Sequence, residues 1–187
     1  MTAYRLWPST NGAGTATAYN GGPIGMQFSL SSQQPLTGIW VWSPSGATQL
    51  PTTIGVYAVT GASLVPGSKV TSPSWSGAAG SGWIMHAYNG SVLLAASTNY
   101  KIALFNSGSG TWYSQTSAYW TTGAGASGIT NGPITAPNNA SASPGQDSYA
   151  GGSAFGYPSI TAAGVHYWMD VQVGLSASPN ALLASFP

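Results

Sequence analysis

The fold is decided by two neighbouring segments, Gly25-Met26-Gln27-Phe28-Ser29-Leu30 and Thr37-Gly38-Ile39-Trp40-Val41-Trp42. In the first segment Met26, Phe28 and Leu30 alternate with small or polar residues, which is typical of a β-strand with one buried face. The second segment is apolar on both faces, as expected of a central strand. Helix-forming Glu, Lys and Arg are nearly missing from the chain, so strands are predicted throughout.

Further segments along the chain carry the same strand signals and end at turn residues. They are Thr53–Val59, Gly82–Ala87, Tyr100–Phe105 and Tyr167–Val173. Asn89-Gly90 after the second of these is a hairpin-type dipeptide. Tyr4–Trp7 is interpreted as the first strand, with Trp7 packed and Asn11-Gly12 turning. Many short strands with turns between them predict an all-β antiparallel sandwich of the jelly-roll or immunoglobulin-like kind.

The chain length of 187 residues suits one domain. We expect residues 1–174 to form a single β-sandwich, and residues 175–187 to be a C-terminal arm or tail. Gly, Ser, Asn and Pro dominate between about residues 106 and 166, so long loops are predicted there. Loops of that length are more often functional than idle.

Charge is scarce in this sequence, at 3% of residues and a formal net charge of +1. An average domain carries about 25% charged residues. The charged residues are Arg5, Lys69, Lys101, Asp147 and Asp170. Three basic side chains cannot form a phosphate-binding patch, so neither nucleic acid nor an anionic membrane is an expected partner. Aromatic residues make up 12% of the chain, which argues against disorder.

Catalytic candidates are few because there is no Glu and no Cys. Asp147 and Asp170 would have to be the carboxylate pair of any hydrolase. We interpret Asp147 as an Asx-turn residue and Asp170 as a hydrogen-bonded strand carboxylate. His86 and His166 are expected to be structural. A calcium site built from one Asp and backbone carbonyls stays open as an alternative, but no enzyme activity, cofactor or metal site is predicted.

The richest signal is aromatic: Trp112, Tyr113, Tyr119 and Trp120 lie within nine residues beside Gly-rich loops. Such rings with nearby amides can bind neutral sugars, because the apolar C–H face of a sugar stacks on a ring. They can equally form a subunit interface or pack in a sandwich core. These four residues are the candidate glycan-binding or partner-binding site, with core packing as the alternative.

Several segments together resemble a bacterial domain family of unknown function. They are YRLWPSTNGAGTATAYNGGPIGMQFSL, LTGIWVWSP, TTIGVYAVTGASLVPGSKV, SGWIMHAYNGSVLLAASTNYKIALF and VHYWMDVQV, spanning roughly residues 4–174. The family is a β-sandwich module of actinobacterial secreted multidomain proteins, often beside carbohydrate-active or Ig-like domains. Similar modules occur in tail and other virion proteins of phages that infect those bacteria. The family has no established catalytic residues, and Asp170 matches the Asp of its last-strand motif.

The resemblance and the composition lead to one functional expectation and one alternative. The chain is predicted to be a non-enzymatic phage virion protein, either a minor tail or a capsid decoration protein, forming homo-oligomers and contacting other virion proteins and host-surface glycans. No hydrophobic leader follows Met1, so we expect assembly in the host cytoplasm and release by lysis. The alternative is a secreted, extracellular carbohydrate-binding or adhesion module. A hydrolase acting through the two Asp residues is the third hypothesis.

Overall fold

The computed structural model describes residues 2–19, 22–142 and 145–174, and the regular secondary structure in these ranges is almost entirely β-strand. The strands are β1 Thr17–Ala18, β2 Ile24–Leu30, β3 Gln34–Ser43, β4 Thr53–Ala58, β5 Ser63–Leu64, β6 Val70–Thr71, β7 Gly82–Ala87, β8 Leu93–Leu94, β9 Asn99–Phe105, β10 Thr111–Tyr113, β11 Ile129–Asn131, β12 Ile134–Ala136, β13 Asp147–Tyr149, β14 Ile160–Thr161 and β15 Met169–Val173. The helical elements in these ranges are two 3₁₀ turns, Thr60–Ala62 and Asn139–Ser141.

Two antiparallel sheets form the body of the fold. The large sheet has the order β11-β12-β2-β9-β4-β5, with β13 beside β2, β14 beside β13, and β6 beside β4. The small sheet has the order β15-β3-β7, and β8 pairs with the start of β3. Strands β1 and β10 form a separate two-stranded ribbon. The predicted all-β antiparallel sandwich is therefore confirmed.

The core lies between the inner faces of the two sheets. In the large sheet Met26, Ile102 and Val56 stand in register across β2, β9 and β4, and all three are fully buried. In the small sheet Val41 and Met169 face each other in the same way. These residues belong to one continuous apolar cluster, so the alternation of β2 does set which face meets the core, although Gln27 on the other face is buried as well.

The strands at residues 25–30, 37–42, 53–59, 82–87 and 100–105 were predicted within a few residues of their observed bounds. The expected hairpin after Gly82–Ala87 is wrong, because β8 pairs with β3 and not with β7. Asn89-Gly90 does turn: the Asn89 side chain accepts the Ser91 N–H at 3.0 Å. The turn does not reverse the chain, because β7 and β8 both run antiparallel to β3 and follow it in the same direction.

One other expectation needs correction. Tyr4–Trp7 is not a strand, because it contributes only an isolated bridge between Tyr4 and Val173. Residues 106–166 are mainly loop, as expected, but the five short strands β10 to β14 that lie there were not predicted. Strands of two or three residues are too short to show alternation, which hid them in the sequence. The predicted arm at residues 175–187 lies outside the described residues.

Candidate functional site

The four aromatic residues proposed as a glycan-binding or partner-binding site lie in the core. Trp112 is 0%, Tyr113 5%, Tyr119 7% and Trp120 1% exposed. Trp112 Nε1 donates to the Tyr19 carbonyl at 3.0 Å, which fixes its ring. No ring among the four presents an open face for a ligand, so their placement matches the packing alternative.

Tyr119 and Trp120 pack around a buried histidine. The His166 ring lies between Trp7 and Tyr119, with ring centroids 4.6 and 4.7 Å away, and Trp120 meets it edge-on. Trp7 Nε1 donates to the Tyr119 hydroxyl at 3.0 Å. The cluster joins the N-terminal segment to the inserted segment between β10 and β11, and its role in the structure is packing.

Asp147 holds this histidine and is itself fully buried. Its Oδ2 lies 3.0 Å from His166 Nδ1 and also accepts the Tyr167 N–H at 2.6 Å. The Asx-turn interpretation of Asp147 is wrong, because the residue lies in β13 and its partners are about twenty residues further along. His86 is half-buried instead, with Nδ1 3.2 Å from the Ser74 carbonyl.

Asp170 fastens the N-terminal segment to the small sheet. Its Oδ1 accepts the N–H of Leu6 at 3.0 Å and of Val171 at 2.8 Å. Its Oδ2 accepts the N–H of Trp7 at 2.9 Å and the Arg5 Nε–H at 3.2 Å. Burial raises the pKa of Asp170, while the N–H groups of Trp7, Leu6 and Arg5 lower it. The interpretation of Asp170 as a hydrogen-bonded strand carboxylate is confirmed.

A group of half-exposed apolar side chains lies on the outer face of the small sheet. We call Trp40, Trp42, Trp83 and Met85 the tryptophan face. Trp40 stands opposite Met85, and Trp42 stands opposite Trp83, so all four side chains lie on the same face of the sheet, where Trp42 and Trp83 also pack against buried residues. Each of the four is partly exposed. Sequence reasoning missed this face because Thr37–Trp42, being apolar on both sides, was interpreted as a fully buried central strand.

Arg5 completes the tryptophan face. Its guanidinium carbon lies 3.8 Å from the centroid of Trp40 and 4.9 Å from that of Trp83, a cation–π arrangement. Burial lowers the pKa of Arg5, and the Asp170 carboxylate opposes that effect. Because Arg5 and Asp170 neutralise each other, the face carries no net charge.

The N-terminal segment borders this face on one side. Trp83 Nε1 donates to the Thr10 carbonyl at 2.7 Å. Gly12 lies against the indole of Trp42, where any Cβ would overlap the ring. On the β15 side, Gln172 Oε1 accepts the Trp40 Nε1–H at 3.1 Å. The result is a neutral surface of indole rings, one thioether, one guanidinium and one amide.

The described ranges contain few residues that could form other kinds of site. No group of three or more His, Cys, Asp or Glu side chains is placed there to hold a metal ion. No helix in the same ranges is long and apolar enough to cross a membrane.

Comparison with known proteins does not assign this chain to a family. A scan against protein-family models found no match to this chain, and a search of curated proteins found none either. The resemblance to the actinobacterial and phage module therefore stays a prediction from the sequence.

Proposed function

We propose that this protein is a non-enzymatic structural protein of a phage virion, of the minor tail or capsid decoration kind. On this proposal it docks to neighbouring virion subunits through the tryptophan face. The observation that carries the proposal is the composition of that face: Trp, Met and Arg are enriched at protein interfaces, and charged residues are depleted at their centres. Arg5 fits both parts of this description, because it is an arginine and its charge is neutralised by its ion pair.

The placement of the carboxylates supports a non-enzymatic role. Asp147 and Asp170 are both 0% exposed, and both accept backbone N–H groups that hold the fold together. A hydrolytic pair has to reach its substrate, so using these two groups for catalysis would require breaking the contacts that position Leu6, Trp7 and Tyr167.

Location is the first test. Mass spectrometry of purified phage particles should find the chain at a constant copy number per particle. The docking surface is then tested with Trp40→Ala and Met85→Ala variants. We expect the incorporation of each variant into particles to fall at least about tenfold, because each loses about 1.4 kcal/mol or more of docking energy. Ile160→Ala is the matched control, because Ile160 is an apolar residue 44% exposed on the large sheet. Absence from particles contradicts the proposal, as does equal incorporation of all three variants.

A second candidate function is a secreted module that binds neutral carbohydrate, which includes the host-glycan contact expected from the sequence. The observation that favours it is the half-exposed Trp40 ring beside the Gln172 amide. A sugar C–H face stacks on an indole, and amides bond its hydroxyls. Glycan-array binding by the wild type, lost in Trp40→Ala and insensitive to salt, would support this function. Absence of binding to cell-wall polysaccharide by folded protein would argue against it.

A further inference from the structure

Four Asn-Gly pairs occur in the chain, beginning at Asn11, Asn20, Asn89 and Asn131. In this dipeptide the backbone nitrogen of the glycine can attack the side-chain amide of the asparagine, because no Cβ hinders its approach. Whether a given pair reacts depends on how the fold presents it. The pair at residues 20–21 lies outside the described residues, so the structure compares the other three.

The pair at Asn89 lies in a short exposed bulge between β7 and β8. We call residues 89–91, of sequence NGS, the NGS bulge. On one side of it the Tyr88 N–H donates to the Thr37 carbonyl at 2.9 Å. On the other side the Leu36 N–H donates to the Val92 carbonyl at 2.8 Å. Because Leu36 and Thr37 are neighbours on β3, the three bulge residues have no counterpart on that strand.

Inside the NGS bulge both hydrogen-bond donors of Ser91 converge on the side-chain oxygen of Asn89. The Ser91 N–H donates to Asn89 Oδ1 at 3.0 Å, and the Ser91 hydroxyl donates to the same oxygen at 2.7 Å. When a nucleophile adds to Asn89 Cγ, negative charge develops on this oxygen, and donors already aimed at it lower the barrier. Asn89 and Ser91 are both exposed, so water reaches the amide.

Gly90 supplies the nucleophile. Its nitrogen is bonded to the carbonyl carbon of Asn89, so its attack on Asn89 Cγ closes a five-membered ring. Gly90 has a φ of +78°, and a Cβ there would meet only Pro35 Cβ, at 3.8 Å. Across the described ranges the Gly90 N–H donates to no protein acceptor, so removal of its proton breaks no contact.

We propose that the NGS bulge is a self-modification site at which Asn89 deamidates. Hydroxide removes the Gly90 amide proton, the nitrogen bonds to Asn89 Cγ, and the Cγ–Nδ2 bond breaks. The leaving nitrogen takes a proton from water and departs as ammonia. Water then adds to either carbonyl of the resulting succinimide and opens it to aspartate or isoaspartate. The net reaction consumes one water and releases one ammonia, with no oxidation or reduction.

Deamidation at this site would change both the charge and the backbone of the protein. The new carboxylate cancels the formal net charge of +1 and stands on a surface where Lys69 is the exposed charged residue. Isoaspartate also adds one methylene to the main chain between the two anchors of the NGS bulge, which loosens it. The inference does not depend on the proposed virion role, so purified protein tests it separately.

The Asn-Gly pairs at residues 11–12 and 131–132 are held differently and serve as internal controls. Asn131 lies in β11, and its Nδ2 donates to the Arg5 carbonyl at 2.6 Å, which holds the amide in place. Gly132 and Gly12 each pack against an aromatic ring, where a Cβ would overlap the ring atoms. Attack by either glycine would require the chain to leave these contacts.

The first experiment measures deamidation of wild-type protein at pH 8, native and unfolded in urea, by mass spectrometry of chymotryptic peptides. In urea the three sites share one dipeptide and should react at similar rates. In native protein Asn89 should react at least about tenfold faster than Asn131 or Asn11, because each hydrogen bond to the developing oxyanion contributes a factor of about two to ten. A native rate at Asn89 no higher than at the other two sites overturns the proposal.

The second experiment tests the donors. Ser91→Ala removes the hydroxyl and keeps the N–H, so the native rate at Asn89 should fall about two- to tenfold, with a smaller change in urea. Ser159→Ala is the matched control, because Ser159 is an exposed serine beside the large sheet. Asn89→Gln should abolish the mass gain, since the longer side chain does not close the five-membered ring. Cooperative thermal unfolding shows that each variant folds, and an unchanged native rate in folded Ser91→Ala overturns the proposal. The wild-type comparison between native and unfolded protein decides the question without any variant.

Discussion

Replacing Asp170 by Asn tests whether one buried carboxylate fastens the N-terminal segment to the sheet. The change keeps the size of the side chain and removes its charge. Each carboxylate oxygen accepts two N–H groups in the structure: Oδ1 from Leu6 and Val171, Oδ2 from Trp7 and Arg5. Whichever oxygen becomes the amide nitrogen, two acceptor contacts turn into clashes between donors.

The magnitude follows from these contacts. Two hydrogen bonds to a charged group contribute about 1.5–3 kcal/mol each. Removing one partner of a buried ion pair costs about 3–5 kcal/mol, and the Arg5 side chain is only 12% exposed. We therefore expect Asp170→Asn to lower the free energy of unfolding by about 4 kcal/mol. For a chain of this length that corresponds to a fall of the melting temperature by about 10 °C.

The assay is urea unfolding followed by tryptophan fluorescence, with Arg5→Met and the double variant completing a cycle. Because Arg5 without Asp170 is a buried cation without a counterion, the double variant should recover about 1–3 kcal/mol relative to the sum of the single changes. A loss below about 1 kcal/mol in Asp170→Asn, or strictly additive effects, would refute the reasoning.

Three further predictions follow from other contacts. In wild-type protein the Lys101 pKa of about 8 lies below its ordinary 10.5. Between these values the unfolded state binds more protons than the folded state, so the free energy of unfolding should rise by about 2 kcal/mol from pH 7 to pH 9.5. A pH series of urea melts on Lys101→Met should not show this rise. Trp112→Ala and Trp120→Ala should each lose about 3–5 kcal/mol of stability by thermal unfolding, because both rings are in the core; a stable variant that loses only ligand binding would contradict the burial. Gly12→Val should displace the N-terminal segment from Trp42, which limited proteolysis near residue 12 would detect as faster cleavage than in the wild type.

The sheets were predictable because their long strands repeat a simple pattern. Met26, Phe28 and Leu30 mark the face of β2 that meets the core without any knowledge of its partners. The N-terminal segment was not predictable in the same way. Its backbone N–H groups find their acceptors in the Asp170 side chain, more than 160 residues away. No local spacing encodes such a contact, so Tyr4–Trp7 was interpreted as a strand.

The candidate site shows a different limit of sequence reasoning. Trp and Tyr serve equally in cores and on binding surfaces, so the cluster at 112–120 could not be assigned to either from residue type. The deciding quantity is exposure, which depends on which residues cover each ring. The glycines of the large sheet did leave a signal: Gly25 and Gly55 interrupt strongly apolar strands, and glycine in such positions indicates close approach of another segment.

The distribution of charge explains how such a surface can specify its contacts. Of the chain's five charged residues, Lys101, Asp147 and Asp170 are buried, Arg5 is held against Asp170, and Lys69 alone is exposed. Almost no surface charge opposes association, and almost none can steer it. Selectivity must then come from shape and from aromatic contacts, which the tryptophan face provides. We therefore expect docking through this face to keep the same affinity within about twofold between 0.05 and 1 M salt, since screening acts on unpaired charges and Arg5 is paired with Asp170. Incorporation of the protein into particles across that range measures this directly, and a steep loss at high salt would mean that ion pairs hold the protein in place.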